Sequence, residues 1–92
     1  MFILTDAITV NTVEENRLAL LAFLQEQAEK STKEAVLDAS NLRDLDTAGV
    51  QLLLSAFKSA SQKGLRLYLV NTDDFVLNML ELCGAGDVLC GS

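Results

Sequence analysis

In the first third of the chain, the hydrophobic positions change from a strand-like to a helix-like spacing. The short apolar segments Phe2–Leu4 and Ala7–Val10 predict one edge strand or a small hairpin. Thr12, followed by Glu15 three residues later, has the spacing of a capping box and predicts the start of a helix. We expect this helix to cover Val13–Glu29. Its predicted inner face consists of Leu18, Leu21, Ala22, Leu24 and Ala28, widened by Leu20 and Phe23.

A second strand and helix are predicted in the middle of the chain. The apolar run Ala35–Leu37 indicates a buried central strand, and Asp38–Leu45 forms the connection to a helix that begins at Asp46 or Thr47. The helix ends before Gly64, which suits the left-handed position after a helix. Its predicted inner face consists of Val50, Leu53, Leu54, Phe57 and Ala60.

A third strand and helix follow. The run Leu65–Val70 has the clearest strand pattern of the chain, and Asn71–Asp73 supplies residue types that cap helices. The next helix ends at Gly84 and Gly86, and Val88–Leu89 predicts a last edge strand. The inner face predicted for this helix consists of Val76, Met79, Leu80 and Cys83.

Strands that alternate with helices predict an α/β fold. We expect four to five short, mostly parallel strands in a mixed sheet, about three helices and right-handed crossovers. The length of 92 residues fits a single domain over residues 1–92. One face of the sheet is expected to be covered by helices and the other only partly.

Composition narrows the possible functions. The net charge of −6 disfavours nucleic acid and anionic membranes as partners, because both bind clustered Lys and Arg. Histidine is absent, which excludes His-dependent catalysis, metal ligation and pH sensing. Cys83 and Cys90 form no C-x-x-C pattern and are expected to be thiols in a reducing cytoplasm. The longest apolar run, Leu18–Leu24, is too short to span a membrane, so we expect a cytoplasmic protein without direct membrane insertion.

The start of the second helix is the segment that could carry chemistry. It lies at the carboxyl edge of the expected sheet, where α/β folds bind ligands. Asp46 is a suitable N-cap, and Thr47 would occupy the first helical position. The absence of a side chain at Gly49 would let a partner or a phosphate approach the backbone. Free amides and the helix dipole would stabilise a phosphate on Thr47, although an Asp-Thr pair at this place also serves simply as a cap.

No metal or cofactor site is predicted. Asp38, Asp44 and Asp46 suggest a Mg²⁺ cluster of the receiver-domain type, but the further acidic pair and the lysine of that site are not evident. Gly84 and Gly86 follow a helix, so they indicate a helix end and not a phosphate loop.

The stretch Ala35–Leu54, AVLDASNLRDLDTAGVQLLL, resembles the STAS domain, the fold of bacterial anti-sigma factor antagonists. That family carries a hydrophobic strand ending in Asp, a short loop, and Asp-[Ser/Thr]-x-Gly-[Leu/Val] at the start of a helix. The similarity continues through Gly64, the strand Leu65–Val70 and the helix ending at Gly84.

The resemblance implies a non-enzymatic regulatory protein. Such antagonists bind a serine/threonine kinase, the anti-sigma factor, and thereby release a sigma factor for transcription. Phosphorylation of a hydroxyl after the motif Asp abolishes the binding, and Thr47 occupies that position. Leu42 is a candidate apolar anchor or a core residue. The implied partner-binding residues are Asp38, Ser40, Leu42, Asp44, Asp46, Thr47, Ala48, Gly49, Val50, Asn71 and Thr72.

Two alternatives stay open. Ala48 stands where many antagonists have a second hydroxyl, and Asp-Thr-x-Gly also resembles the small STAS subunit that docks on the ATPase of bacterial lipid-transport ABC complexes. An enzyme or a small-molecule binder is the third hypothesis. The sequence leaves the partner and the oligomeric state open, a dimer included.

Overall fold

The computed structural model describes residues 1–30 and 32–86. Within these residues the chain forms short strands and helices in alternation. The elements are β1 (Phe2–Ile3), β2 (Ala7–Ile8), α1 (Val13–Glu29), β3 (Glu34–Asp38), β4 (Asp44–Leu45), α2 (Thr47–Gln62), β5 (Arg66–Val70) and α3 (Asp74–Leu82). This is the small, mostly parallel α/β architecture expected from the sequence.

All strand pairs among the described residues are parallel and form two sheets. A three-stranded sheet has the order β1-β3-β5, and β2 pairs with β4 in a two-stranded sheet. The expectation of a hairpin or a single edge strand at the N-terminus is therefore wrong. Strands β1 and β2 each pair with a strand distant in sequence, and β4 lies within the connection expected between Asp38 and Leu45. Pairs of two residues are too short to produce a periodic signal.

The core lies between the three-stranded sheet and the helices. Helix α2 contacts β5, α1 contacts β3, and the two helices contact each other. Alternate side chains of β3 and β5 are buried, whereas Val36 and Tyr68 between them are half-buried. The largest fully buried side chains are Leu4, Ile8, Leu20, Leu24, Leu37, Leu42, Leu53, Leu67, Leu80, Val50 and Val76.

Helix α1 has the predicted bounds, but only part of its predicted inner face is buried. Its buried residues are Asn16, Leu20 and Leu24, whereas Leu18 is 59% exposed and Leu21 is 37% exposed. The buried positions are four residues apart and form one stripe, which is the helical period. Because the apolar residues of this helix extend nearly around it, the sequence pattern could not identify the stripe that meets the sheet.

The predicted capping box does not form at α1. Thr12 occupies the N-cap position, but its side chain makes no capping hydrogen bond. Instead, the Thr12 hydroxyl accepts from the Thr9 N–H at 3.0 Å and donates to the Ala7 carbonyl at 3.0 Å. The other two helices are capped as expected: Asp46 accepts from the Gly49 N–H, and Asp73 accepts from the Val76 N–H.

The C-terminal predictions are only partly covered by the described residues. Gly64 and Gly84 have φ values of 76° and 71°, as expected for left-handed residues after helices. The strand predicted at Val88–Leu89 and the thiol of Cys90 lie outside the described residues, and Cys83 is half-buried. None of the helices in residues 1–30 and 32–86 is both long and apolar enough to cross a membrane.

Candidate functional site

The two-stranded sheet determines where the start of α2 lies. In its parallel register Ala7 is opposite Asp44 and Ile8 is opposite Leu45. The residues that follow these strands therefore leave from the same edge, which places the loop Thr9–Asn11 beside the first turn of α2. The N-terminus of α2 is thus bordered by a second loop that is distant in sequence.

Asp46 joins these two segments through its carboxylate. Its Oδ1 accepts from the Gly49 N–H at 2.9 Å, which caps α2. Its Oδ2 accepts from the Val10 N–H at 2.9 Å, a bond between residues 36 apart in sequence. One side chain therefore caps the helix and holds the β2–α1 loop against it.

The same hydrogen bonds lower the pKa of the Asp46 carboxyl below its ordinary value of 3.8. The Val10 N–H is the largest cause and the Gly49 N–H the second, while desolvation acts in the opposite direction. N–H donors favour the charged form because they stabilise negative oxygen. Asp46 is therefore ionised at neutral pH.

Thr47 is an exposed residue at the first position of α2. Ala48, which follows it, is half-buried and has no hydroxyl. Thr47 is consequently the one residue at positions 47–50 that presents a hydroxyl to solvent. The amides next to it are less free than the sequence suggested, because Asp46 already accepts from the Gly49 N–H.

Three residues predicted to bind a partner are buried. Leu42 and Val50 have no exposed surface and belong to the core, so neither is a surface anchor. Gly49 is buried too, and a Cβ placed there would lie 2.1 Å from the carbonyl oxygen of Ile8. The glycine permits a close approach, but of the chain's own β2 strand and not of a partner.

Asp38, Ser40 and Asn71 form a second group at the carboxyl edge of the three-stranded sheet. Asp38 Oδ1 accepts from the Ser40 N–H at 2.9 Å and from Asn71 Nδ2 at 3.2 Å. These donors, Ser40 first, lower the pKa of the Asp38 carboxyl below its ordinary value. Asn71 has a φ of 59°, a left-handed conformation that Asn tolerates better than most residues. Thr72 follows it and is half-buried.

The two groups form separate sets of hydrogen bonds among the described residues. No hydrogen bond between described residues joins Asp38, Ser40 or Asn71 to Asp46 or Thr47. Exposed Asp44 lies between them in sequence, and its N–H donates to the Asp6 carbonyl. The predicted surface therefore consists of two groups of loop residues. One follows β3 and β5, and the other follows β2 and β4.

Val10 is the surface residue that sequence reasoning missed. Its side chain is 67% exposed, and its N–H is bonded to the carboxylate next to Thr47. In the sequence Val10 is only the last apolar residue of a short strand-like segment. No local pattern reveals a neighbour 36 residues away, so only the strand pairing could have indicated its position.

The described residues contain no group of three or more acidic or cysteine side chains placed to hold a metal ion. Asp38 and Asp46 use their carboxylates in separate hydrogen-bonded groups, and Asp44 is exposed at the start of β4.

The model of the STAS domain family matches residues 2–90, nearly the whole chain. No curated protein and no solved structure matched the chain significantly.

Proposed function

This chain belongs to the STAS domain family, and on that premise we propose that it is a regulatory protein of the anti-sigma factor antagonist type. STAS domains have regulatory or protein-interaction roles and commonly bind protein partners. In our proposal the partner is a serine/threonine kinase that acts as an anti-sigma factor. The chain itself is a substrate and a binding surface and has no enzymatic activity.

The observation that supports this proposal is the position of Thr47. Its side chain is exposed at the first turn of α2, directly after a motif Asp that caps the helix. Thr47 is therefore accessible to a kinase without unfolding. A phosphate there would carry about −1.5 to −2 charges at neutral pH.

The added charge would act mainly on the partner. The ionised Asp46 carboxylate and exposed Asp44 make this surface acidic before modification. The side chain of Arg43, next to Asp44, donates to the backbone carbonyls of Ser40 and Leu42. Because Arg43 already bonds these carbonyls, a phosphate on Thr47 would stay at the surface. A protein that docks there would meet electrostatic repulsion, and the phosphate would lose its hydration.

Phosphorylation and binding can be tested with the serine/threonine kinase whose gene lies nearest to the gene of this protein. Kinase and ATP should add one phosphate to the wild type and to Ser40→Ala, which removes an exposed hydroxyl from the other loop group. Thr47→Ala should receive none. Thr47→Ala should also keep its affinity for the kinase, whereas Thr47→Glu should bind at least about tenfold more weakly, or about 1.4 kcal/mol. A wild-type chain that binds the kinase but gains no phosphate would contradict the switch.

A structural subunit that docks on a transporter ATPase is the second candidate. Ala48 supports it, because the start of α2 lacks the second hydroxyl found in many antagonists. In that function Thr47 contributes to the contact itself, so Thr47→Ala should weaken copurification with the ATPase. The opposite response of this variant in the kinase-binding assay separates the two functions.

A further inference from the structure

The hydroxyl of Thr12 forms hydrogen bonds within the β2–α1 loop instead of capping α1. At an N-cap, Thr normally accepts from an amide in the first turn, and replacing such a cap destabilises a helix. Here the hydroxyl accepts from the Thr9 N–H and donates to the Ala7 carbonyl. The side chain therefore closes the loop that precedes α1.

Asn16 fastens the same loop from one turn further along α1. Among the described residues it is the one buried polar side chain, with 5% of its surface exposed. Its Nδ2 donates to the Thr12 carbonyl at 3.0 Å and to the Ala7 carbonyl at 3.3 Å, and its Oδ1 accepts from the Thr5 hydroxyl at 3.2 Å. A buried side chain amide with these partners restricts the backbone it bonds.

The far side of this loop is bonded to α2. Val10 follows Thr9, and its N–H donates to Asp46 Oδ2 at 2.9 Å. The approach of Gly49 to the Ile8 carbonyl leaves no room for a side chain between β2 and α2. The loop is thus held by α1 on one side and by the motif aspartate on the other.

We propose that Thr12 and Asn16 are positioning residues for the motif at the start of α2. They hold the loop in the conformation in which the Val10 N–H reaches Asp46, and so place the exposed Val10 side chain beside Thr47. The docking surface then includes Val10 as an apolar contact, which suits a partner kinase with an apolar pocket, against which a phosphate on the neighbouring Thr47 would lose its hydration. Its use in docking rests on the function proposed above.

The connection can be measured in the isolated, unphosphorylated protein by NMR. In the wild type, the amide proton shifts of Val10 and Gly49 should both follow the titration of Asp46, because each amide bonds one of its carboxylate oxygens. In Thr12→Val, the pH-dependent shift of Val10 should fall at least about twofold while that of Gly49 is kept, and the Asp46 pKa should rise towards its ordinary value. Thr12→Ser should restore the wild-type behaviour. Thr32→Val, which removes a hydroxyl before β3, is the matched control. It should leave the pH-dependent amide shifts of Val10 and Gly49 unchanged.

Two results would overturn the proposal. One is a folded Thr12→Val in which Val10 titrates as in the wild type. The other is an equal loss at Val10 and Gly49, which indicates general loosening of the first turn of α2. If Thr12→Val does not fold, Asp46→Asn tests the connection from the other side. That variant should exchange the Thr9 amide hydrogen several-fold faster, and an unchanged rate would refute the connection.

These measurements need neither partner nor kinase. A chain that is never phosphorylated could still show the connection between Thr12 and Asp46. Conversely, a phosphorylated chain without this connection would leave the proposed function intact and remove only the positioning role.

Discussion

Gly49 is the motif residue whose role changes most when the fold is known. The sequence indicates a position where a backbone must come close, and the structure shows that the approaching group is the Ile8 carbonyl. Leu45 Cδ1 would also lie only 2.7 Å from a Cβ at this position. The glycine therefore sets the distance between β2 and α2, and this distance lets the Val10 N–H reach Asp46.

Gly49→Ala should destabilise the protein by about 1–3 kcal/mol, the usual cost of forcing extra atoms into a packed interior. Alanine favours a helix over glycine by roughly 0.8–1 kcal/mol, but the neighbour is backbone and cannot rotate away. Urea denaturation would measure the difference.

The control for this substitution is Gly86→Ala. A Cβ there would meet Glu81 Cγ at 3.3 Å, the middle of a flexible side chain that can move. We expect that variant to stay within about 0.5 kcal/mol of the wild type. Equal stability of the Gly49 and Gly86 variants would show that α2 can move away from β2.

At the scale of elements, α1 shows the limit of hydrophobic patterning. The helix was predicted with its observed bounds, because its apolar spacing and the polar residues around it are local properties. Its inner face was predicted only in part, because Leu18 and Leu21, which belonged to the predicted face, continue the apolar surface on the solvent side. Leu20 and Leu24 are inside because the stripe with Asn16 meets the sheet.

Two substitutions of the same chemistry in α1 should therefore differ strongly. Leu20→Ala should reduce the free energy of unfolding by about 2–5 kcal/mol, since it removes a fully buried side chain. Leu18→Ala, two residues earlier and 59% exposed, should change it by about 0.5 kcal/mol or less. Chemical denaturation of both variants checks the assignment. A larger loss of stability in Leu18→Ala than in Leu20→Ala would show that Leu18 lies on the inner face, as predicted from the sequence.

For the whole molecule, stability should depend on pH mainly at the acidic end. The chain has no histidine to titrate between pH 5 and 8. The pKa values of Asp38 and Asp46 are lower in the folded protein than their ordinary value of 3.8. The folded state therefore binds fewer protons, and this stabilisation is complete above about pH 5 and lost as the pH falls through the folded pKa values.

The double variant Asp38→Asn, Asp46→Asn should lose less stability than the wild type between about pH 5 and pH 2. Glu14 and Glu26 also have lowered pKa values, because of Arg17 and Lys30, but these exposed ion pairs are screened by salt. Thermal denaturation in about 0.5 M NaCl thus isolates the hydrogen-bonded aspartates. If the stability of the variant falls with pH as steeply as that of the wild type, the pH dependence comes from other groups.

The local sequence determined the three helices, the strands β3 and β5, most of their bounds, and the Asp-Thr-x-Gly motif that indicates the STAS family. These features depend on residues within about one turn or one strand of each other, so a local pattern contains them. The caps Asp46 and Asp73 belong to this class, because each bonds an amide three residues away.

Only the tertiary structure decided which residues of the motif face a partner. It placed Leu42 and Val50 in the core, brought Gly49 against β2, and added Val10 to the surface around Thr47. The last two outcomes depend on the parallel pairing of β2 with β4, segments more than thirty residues apart. Two-residue strands carry no periodicity by which such a pairing could be recognised, so the packing of the whole chain was needed to establish it.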